Sequence, residues 1–212
     1  MVGKIWTLIQ LLTAKVANSL RRFPEAAAFL VGTVTLLILM THWPAPEETI
    51  ELLSKIAMTL ALGFPLSLSF KVLLERYTPR HPKLRLMIIP VTLGLLILYF
   101  WLDLKTITQG TTIRYLAYNL ALYLAFVFIP YLGRRQGFEL YVLDLAIKFC
   151  VSYFYAVTLY IGIALTLFTI GQLFTVRVSE NLYLDFWLIS AGIFAPFYFL
   201  AEIPGADRSY ER

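Results

Sequence analysis

Residues 149–174 read FCVSYFYAVTLYIGIALTLFTIGQLF, an apolar stretch without a charged side chain. A helix needs about 20 mainly apolar residues to cross the hydrocarbon layer of a bilayer, so this stretch is long enough to span one. Five more apolar stretches of roughly that length occupy residues 26–43, 56–74, 86–102, 115–132 and 183–201. The sequence therefore predicts an all-α fold, a polytopic transmembrane helical bundle of about six spans.

The composition fits a lipid environment, because 59% of the 212 residues are hydrophobic and only 15% are charged. Soluble domains carry about 25% charged residues. No Ser-, Gly- or Pro-rich linker interrupts the chain, so we expect one transmembrane domain over residues 26–204. The net charge of +5 lies in short breaks between apolar stretches. We assign it to contact with anionic lipid head groups, and we expect no nucleic-acid partner.

Residues 1–25 have a different pattern, in which apolar and polar side chains occupy opposite helical faces. Ile5, Leu8, Leu12 and Val16 share one face, whereas Lys15 lies largely on the other. This pattern is typical of an amphipathic helix lying in the membrane interface. A cleaved signal peptide is the alternative, but Gln10 and the Arg21–Arg22 pair disfavour it.

The distribution of Lys and Arg predicts the orientation of the spans. Basic residues concentrate before the first span, in the second and fourth breaks and after the last span. The other breaks hold only four basic residues, accompanied by five carboxylates: Lys55, Lys105, Arg114 and Arg177 with Glu47, Glu48, Glu51, Asp103 and Glu180. Because basic loops stay in the cytoplasm, both termini are predicted there, including a short tail at residues 205–212. The predicted location is the bacterial cytoplasmic membrane, with the lipid bilayer as the principal partner.

Polar side chains inside a span are costly, and they are therefore the best candidates for a functional site. A series of them recurs every three or four residues around the fifth span, which places them on one side of a helix. We call this series the polar seam: Asp144, Lys148, Ser152, Tyr155, Thr158, Gly162, Thr166 and Thr169. It is either a helix-packing face, which the many hydroxyl groups favour, or the wall of a cavity or relay.

Three other polar residues are secondary candidates. Glu51 and Lys55 have the favourable spacing for an ion pair near the outer end of the second span, and Asn119 lies early in the fourth, where a neighbouring helix could satisfy its amide. A structural role is the expected one for each of them.

Motifs for catalysis, metal binding or cofactor binding were sought and not found. The chain has no Gly-rich phosphate loop, no Gly-x-Ser-x-Gly turn, a single cysteine, Cys150, and two histidines that fall on opposite predicted sides. Catalysis is therefore disfavoured, and we expect neither a metal site nor a cofactor.

Four stretches resemble a bacterial family of polytopic membrane proteins, number four-one-five-three among the domains of unknown function. They are GFPLSLSF at 63–70 with the following Leu74-Glu75-Arg76, residues 118–132, the segment from GFELY at 137–141 to IGQLF at 170–174, and FLAEIP at 199–204. The resemblance implies a multi-pass membrane protein and supplies no functional residue. Relatives continue beyond the point that corresponds to Arg212, so it also suggests a truncated or split member.

Two functions agree with these observations. The first is a permease-like module that handles a small solute or lipid along the polar seam. The second is a non-transporting scaffold or sensor that anchors further membrane helices or a second chain through its basic loops and amphipathic helix. A substrate-binding subunit of a vitamin uptake system ranks third, on size alone.

Overall fold

The computed structural model describes residues 22–77, 88–104, 107–132, 137–174 and 178–203, and all the regular structure among them is helical. The predicted all-α class is thereby confirmed. The interfacial helix predicted for residues 1–25 and the tail predicted for residues 205–212 lie almost wholly outside this part of the chain. The helices are α1 (Pro24–His42), α2 (Glu47–Tyr77), α3 (Ile88–Asp103), α4 (Gln109–Phe128), α5 (Phe138–Phe174) and α6 (Glu180–Glu202).

Five of these helices are long and apolar enough to cross a membrane, which supports a multi-pass membrane protein. The exception is α3, which is equally apolar but has 16 residues. At about 1.5 Å of rise per residue it extends roughly 24 Å, less than the ~30 Å of hydrocarbon in an average bilayer.

Prolines and short polar side chains account for several helix ends. Pro24 begins α1, where a missing N–H has no consequence, and Pro44 and Pro46 lie between α1 and α2. The hydroxyl of Thr108 accepts a hydrogen bond from the Thr111 N–H at the start of α4. Ser179 caps α6 in the same way, through the N–H of Asn181.

The prolines inside apolar stretches have different surroundings. Pro90 lies in the first turn of α3, where its ring interrupts no intrahelical bond. Pro65 is buried inside α2, and its carbonyl accepts a hydrogen bond from the Ser69 hydroxyl. Pro196 follows a π-helical turn, Ser190–Phe194, within α6, and Pro130 lies in the 3-10 turn Ile129–Tyr131 that ends α4. Proline therefore coincides with an irregular turn in α6 and at the end of α4.

The chain divides into two compact units, with a boundary inside α5. The first contains α1 to α4 and the first residues of α5, as residues 25–142. The second contains α5 from Leu143 onward and α6, together with residues 22–24. The single domain predicted for residues 26–204 stays a prediction.

In the unit of residues 25–142, α1 and α2 run antiparallel and approach closely. A Cβ atom added to Gly32 would lie 3.6 Å from Leu60, and the ring of Phe29 lies against Gly63. At the far end of the pair, Lys71 Nζ is 3.3 Å from Glu25 Oε2. Helix α2 also packs against α3 and α4, and the Ser69 hydroxyl donates to the Leu122 carbonyl of α4 at 3.2 Å.

In the unit that contains α6, the two long helices are also antiparallel and meet through aromatic pairs. Phe149 contacts Phe199, Tyr155 contacts Tyr198, and Tyr160 contacts Trp187, with ring centroids 5.9, 5.4 and 5.1 Å apart. Small residues are fully buried on both helices: Ser152, Ala156, Ser190 and Ala195. Small side chains allow helix backbones to approach closely, which is the usual packing in membranes.

Candidate functional site

The polar seam begins with an ion pair on α5. Lys148 Nζ lies 2.6 Å from Asp144 Oδ2, and the Ser152 hydroxyl donates to the Lys148 carbonyl at 2.7 Å. The two charged side chains are half-buried, and Ser152 is completely buried. This end of the seam therefore coincides with the packed face of α5.

Tyr155, the next seam residue, contacts Tyr198 of α6 through its ring, and beyond Tyr155 the seam lies on the exposed side of α5. Thr158, Thr166 and Thr169 are exposed, and each hydroxyl donates to the carbonyl four residues earlier in the same helix at 2.8 Å. A Cβ atom on Gly162 would meet nothing within 4 Å. Local bonds of this kind satisfy hydroxyl groups without a neighbouring helix. Both interpretations of the seam, a packing face and a cavity wall, stay predictions.

The secondary candidates are placed as follows. Glu51 and Lys55 form an ion pair along α2, with Oε1 and Nζ 2.8 Å apart. The Asn119 amide donates to the Tyr115 carbonyl in its own helix, at 3.0 Å. The contact with a neighbouring helix that the sequence suggested for this amide stays a prediction.

Another ion pair, which sequence reasoning did not single out, joins the end of α3 to the start of α4. Arg114 Nη1 lies 3.1 Å from Asp103 Oδ1, and the Tyr118 hydroxyl donates to the same carboxylate. One turn before Asp103, the ring of Tyr99 packs edge-on against Tyr118, with centroids 5.8 Å apart. The only signal in the sequence was that both charges flank one predicted outer break.

The two ion pairs belong to one end of the unit of residues 25–142. Helix α2 packs against both α3 and α4, and Asp103 and Arg114 lie where these two helices meet. On α2, Lys55 lies one turn before Thr59, and on α3 Asp103 lies two residues after Trp101; Thr59 and Trp101 line the same groove. We call these four residues the charge cluster: Glu51, Lys55, Asp103 and Arg114.

An apolar groove adjoins the charge cluster. It has a volume of about 360 Å³ and is lined by Phe29, Thr59, Leu60, Leu93, Leu96, Ile97, Phe100 and Trp101. Ile97 and Trp101 are 61% and 75% exposed, so the groove is open along the outer side of α3. The polar groups of its lining side chains are the Thr59 hydroxyl, which donates to the Lys55 carbonyl one turn away at 2.8 Å, and the indole N–H of Trp101 at the exposed rim.

Among the described residues, no group of three or more His, Cys, Asp or Glu side chains has the proximity needed to hold a metal ion. The imidazole of His42 lies 3.1 Å from the Ile38 carbonyl of its own helix. Cys150 is exposed on α5. The chemistry that this part of the chain offers is thus ion pairing beside an apolar surface.

Comparisons of this chain with protein-family models, with curated proteins and with solved structures find no match, so the resemblance noted in the sequence stays a prediction.

Proposed function

We propose that this protein spans the bacterial cytoplasmic membrane six times, with both termini in the cytoplasm. The short helix α3 crosses the membrane in addition to the five long helices. The alternation of basic and acidic breaks supports this topology, because it requires α3 to cross. The outer side of α3 also supports it, since Ile97, Leu98 and Leu102 are 53–67% exposed and fully apolar. Such a surface is stable in lipid and unfavourable in water.

Epitope tags at the two termini test this topology in sealed vesicles treated with an impermeant protease. Six spans place both tags on the same side, so both are cleaved in inside-out vesicles and both are protected in right-side-out vesicles. One cleaved and one protected tag in the same preparation means an odd number of spans and overturns the proposal.

Within this topology, the protein is a permease-like module that handles a small solute or lipid. The observation that carries this function is the charge cluster held at the open end of an apolar groove, on the predicted outer side. Ionisable groups beside the hydrocarbon layer are costly to retain, and they are therefore candidates for a pathway or a ligand site. The groove volume lies within the roughly 300–1,000 Å³ of small-molecule sites.

Reconstitution into liposomes tests this function. Two assays are needed: transbilayer movement of phospholipids with a fluorescent head group, followed by quenching from outside, and uptake of a panel of radiolabelled small solutes. We expect protein-containing vesicles to exceed protein-free vesicles in at least one assay, and the excess to fall when Lys55 is replaced by Gln. Equal rates with and without protein in both assays would overturn the function.

A second candidate, the non-transporting scaffold, is favoured by the surfaces of α4 and α5. Only 6% of the most apolar window of each helix is buried within the chain. The exposed hydroxyls and Gly162 on α5 have the small side chains that allow another membrane helix to approach. Cysteine crosslinking through the native Cys150 tests this candidate: disulfide-linked species at low protein-to-lipid ratio support it, and their absence opposes it.

A further inference from the structure

We infer that the apolar groove, together with the charge cluster, is a binding site for a glycerophospholipid, with an acyl chain between α2 and α3 and the phosphate at Arg114 and Lys55. This assignment rests on the proposed function, since it names the class of molecule that the module handles. Its basis is the distribution of side chains along the site: the groove is lined mainly by apolar side chains, and two cations lie at one end of it.

The apolar part of the site matches an acyl chain better than a peptide or a helix. The polar groups of the lining side chains are the Thr59 hydroxyl, whose proton is donated to the Lys55 carbonyl, and the Trp101 indole N–H at the exposed rim, which are too few for a ligand that needs several hydrogen bonds. A second membrane helix is about 10–12 Å wide, so a volume of about 360 Å³ would admit roughly one turn of it. A flexible hydrocarbon chain is thinner and can follow the groove.

The groove cannot by itself hold a lipid selectively. Lipid tails are as apolar as Leu and Phe side chains, so moving an acyl chain from the bilayer into the groove gains no hydrophobic free energy. Retention must therefore come from packing and, above all, from the head group. The cations at the end of the groove must therefore supply the selectivity.

Arg114 is the better placed of the two cations. A guanidinium group has five N–H donors in a planar fork, and the contact with Asp103 involves only its Nη1 atom. Its side chain is 57% exposed, so the other donors are accessible to a phosphate oxygen. Lys55 lies one turn from Thr59 on the groove-lining side of α2 and supplies a second positive charge at the same end.

The two carboxylates of the charge cluster have a defined part in this arrangement. They hold the cations in place before the lipid arrives, so less side-chain entropy is lost on binding. They also balance the two cations, so that the empty charge cluster has no net charge, which keeps the cations stable next to the hydrocarbon layer. Trp101, 75% exposed at the rim, has the amphipathic ring that is enriched at the level of lipid head groups.

Native mass spectrometry of the whole protein, released from detergent with one added lipid at a time, tests the assignment. The probes are phosphatidylglycerol and a diacylglycerol with the same acyl chains, which lacks only the phosphate head group. We expect at least one phosphatidylglycerol to stay bound, and roughly tenfold weaker retention both for diacylglycerol and for phosphatidylglycerol on Arg114→Gln. Equal retention of the two lipids by the unmodified protein would overturn the assignment. Displacement of phosphatidylglycerol by inorganic phosphate alone would also overturn it.

The groove itself is tested with two matched tryptophan variants on neighbouring residues of α3. Ile97 lines the groove and Leu98 does not, and they are 61% and 53% exposed. Ile97→Trp fills the groove and is expected to reduce phosphatidylglycerol retention, whereas Leu98→Trp is expected to leave it unchanged. Equal retention by the two variants would place the lipid elsewhere.

Photocrosslinking tests the assignment without a variant, so misfolding of a variant cannot affect its result. Phosphatidylglycerol with a photoactivatable group at the end of one acyl chain is crosslinked to the unmodified protein in liposomes, and the labelled peptides are sequenced. Label concentrated within residues 88–104 supports the groove, and label confined to α5 or α6 overturns it. Lipid retention without movement of lipid or solute would overturn the proposed function alone, and solute uptake without lipid retention would overturn this assignment alone.

Discussion

The ring of Phe29 on α1 lies so close to Gly63 on α2 that a Cβ atom at residue 63 would be 2.6 Å from Phe29 Cδ1 and 2.8 Å from Cγ. Contact with Cγ means that the whole ring must move, because this atom is at the attached end of the side chain. We therefore expect Gly63→Ala to destabilise the protein by about 1–3 kcal/mol, the usual cost of overpacking. Thermal unfolding in detergent measures the loss.

Gly162 on α5 is the matched control, because a Cβ atom there would meet nothing within 4 Å. Gly162→Ala removes a flexible residue from a helix and is expected to leave the melting temperature unchanged or to raise it. In a double-mutant cycle, Phe29→Ala and Gly63→Ala together should cost less than the sum of their separate losses, because the contact with the ring is absent once the ring is removed. Equal losses for Gly63→Ala and Gly162→Ala would contradict the close contact.

The ion pair between Lys71 and Glu25 gives a second prediction. Their side chains are 14% and 18% exposed, so each charge depends on the other for compensation. Lys71→Met leaves the Glu25 carboxylate unpaired, and we expect a loss of about 2 kcal/mol in the free energy of unfolding, below the 3–5 kcal/mol of fully buried pairs. The double variant with Glu25→Gln should regain most of this loss, which a double-mutant cycle measures. Additive losses would mean that the pair is not coupled.

The two partners in the second ion pair are expected to differ in their effect on stability. Asp103 is 15% exposed and accepts hydrogen bonds from both Arg114 and Tyr118, whereas Arg114 is 57% exposed. Asp103→Ala should therefore cost about 2 kcal/mol, because it leaves two donors without their acceptor. Arg114→Ala should cost less than about 1 kcal/mol, as for other largely solvated pairs. Chemical unfolding of both variants gives the comparison, and the reverse order would contradict it.

Much of the helical structure could be predicted from the apolar stretches, but not where the helices begin. Helix α5 begins at Phe138 and α2 at Glu47, whereas the predicted spans begin at residues 149 and 56. Hydropathy detects the part of a helix that is solvated by lipid, while the backbone hydrogen bonds continue into more polar sequence. In both helices the extension contains an ion pair of i, i+4 spacing, which supports helix outside the lipid.

The candidate site was only partly readable from the sequence. The pair of Glu51 and Lys55 follows from helical spacing, because both residues belong to one helix. The pair of Asp103 and Arg114 depends on the register between α3 and α4. The contact between Tyr99 of α3 and Tyr118 of α4 belongs to the same register. No periodic pattern specifies such a register. The groove was invisible for the same reason, since its lining residues come from three helices.

Two tyrosines at this junction provide a fourth prediction with a built-in control. Within the part of the chain that the structure describes, the Tyr99 hydroxyl is buried without a hydrogen-bond partner, whereas the Tyr118 hydroxyl donates to Asp103. Tyr99→Phe removes an unsatisfied polar group and keeps the ring contact, so the melting temperature should stay the same or rise. Tyr118→Phe removes the hydroxyl that donates to Asp103 and should lower the melting temperature. A lower melting temperature for Tyr99→Phe would show that its hydroxyl is paired.

The polar seam leads to a final prediction, because its two parts have opposite surroundings. Ser152 is 0% exposed on the packed face of α5, whereas Thr158 is exposed and bonds to the Phe154 carbonyl of its own helix. Ser152→Val adds volume where helices pack closely and should cost about 1–3 kcal/mol. Thr158→Val keeps the shape of an exposed side chain and should change the free energy of unfolding by less than about 0.5 kcal/mol. Unfolding in detergent compares the two, and Ser152→Ala serves as the variant without added volume. If Thr158→Val is the more damaging change in lipid bilayers but not in detergent, then another helix covers this side of α5 in the membrane, as the scaffold candidate requires.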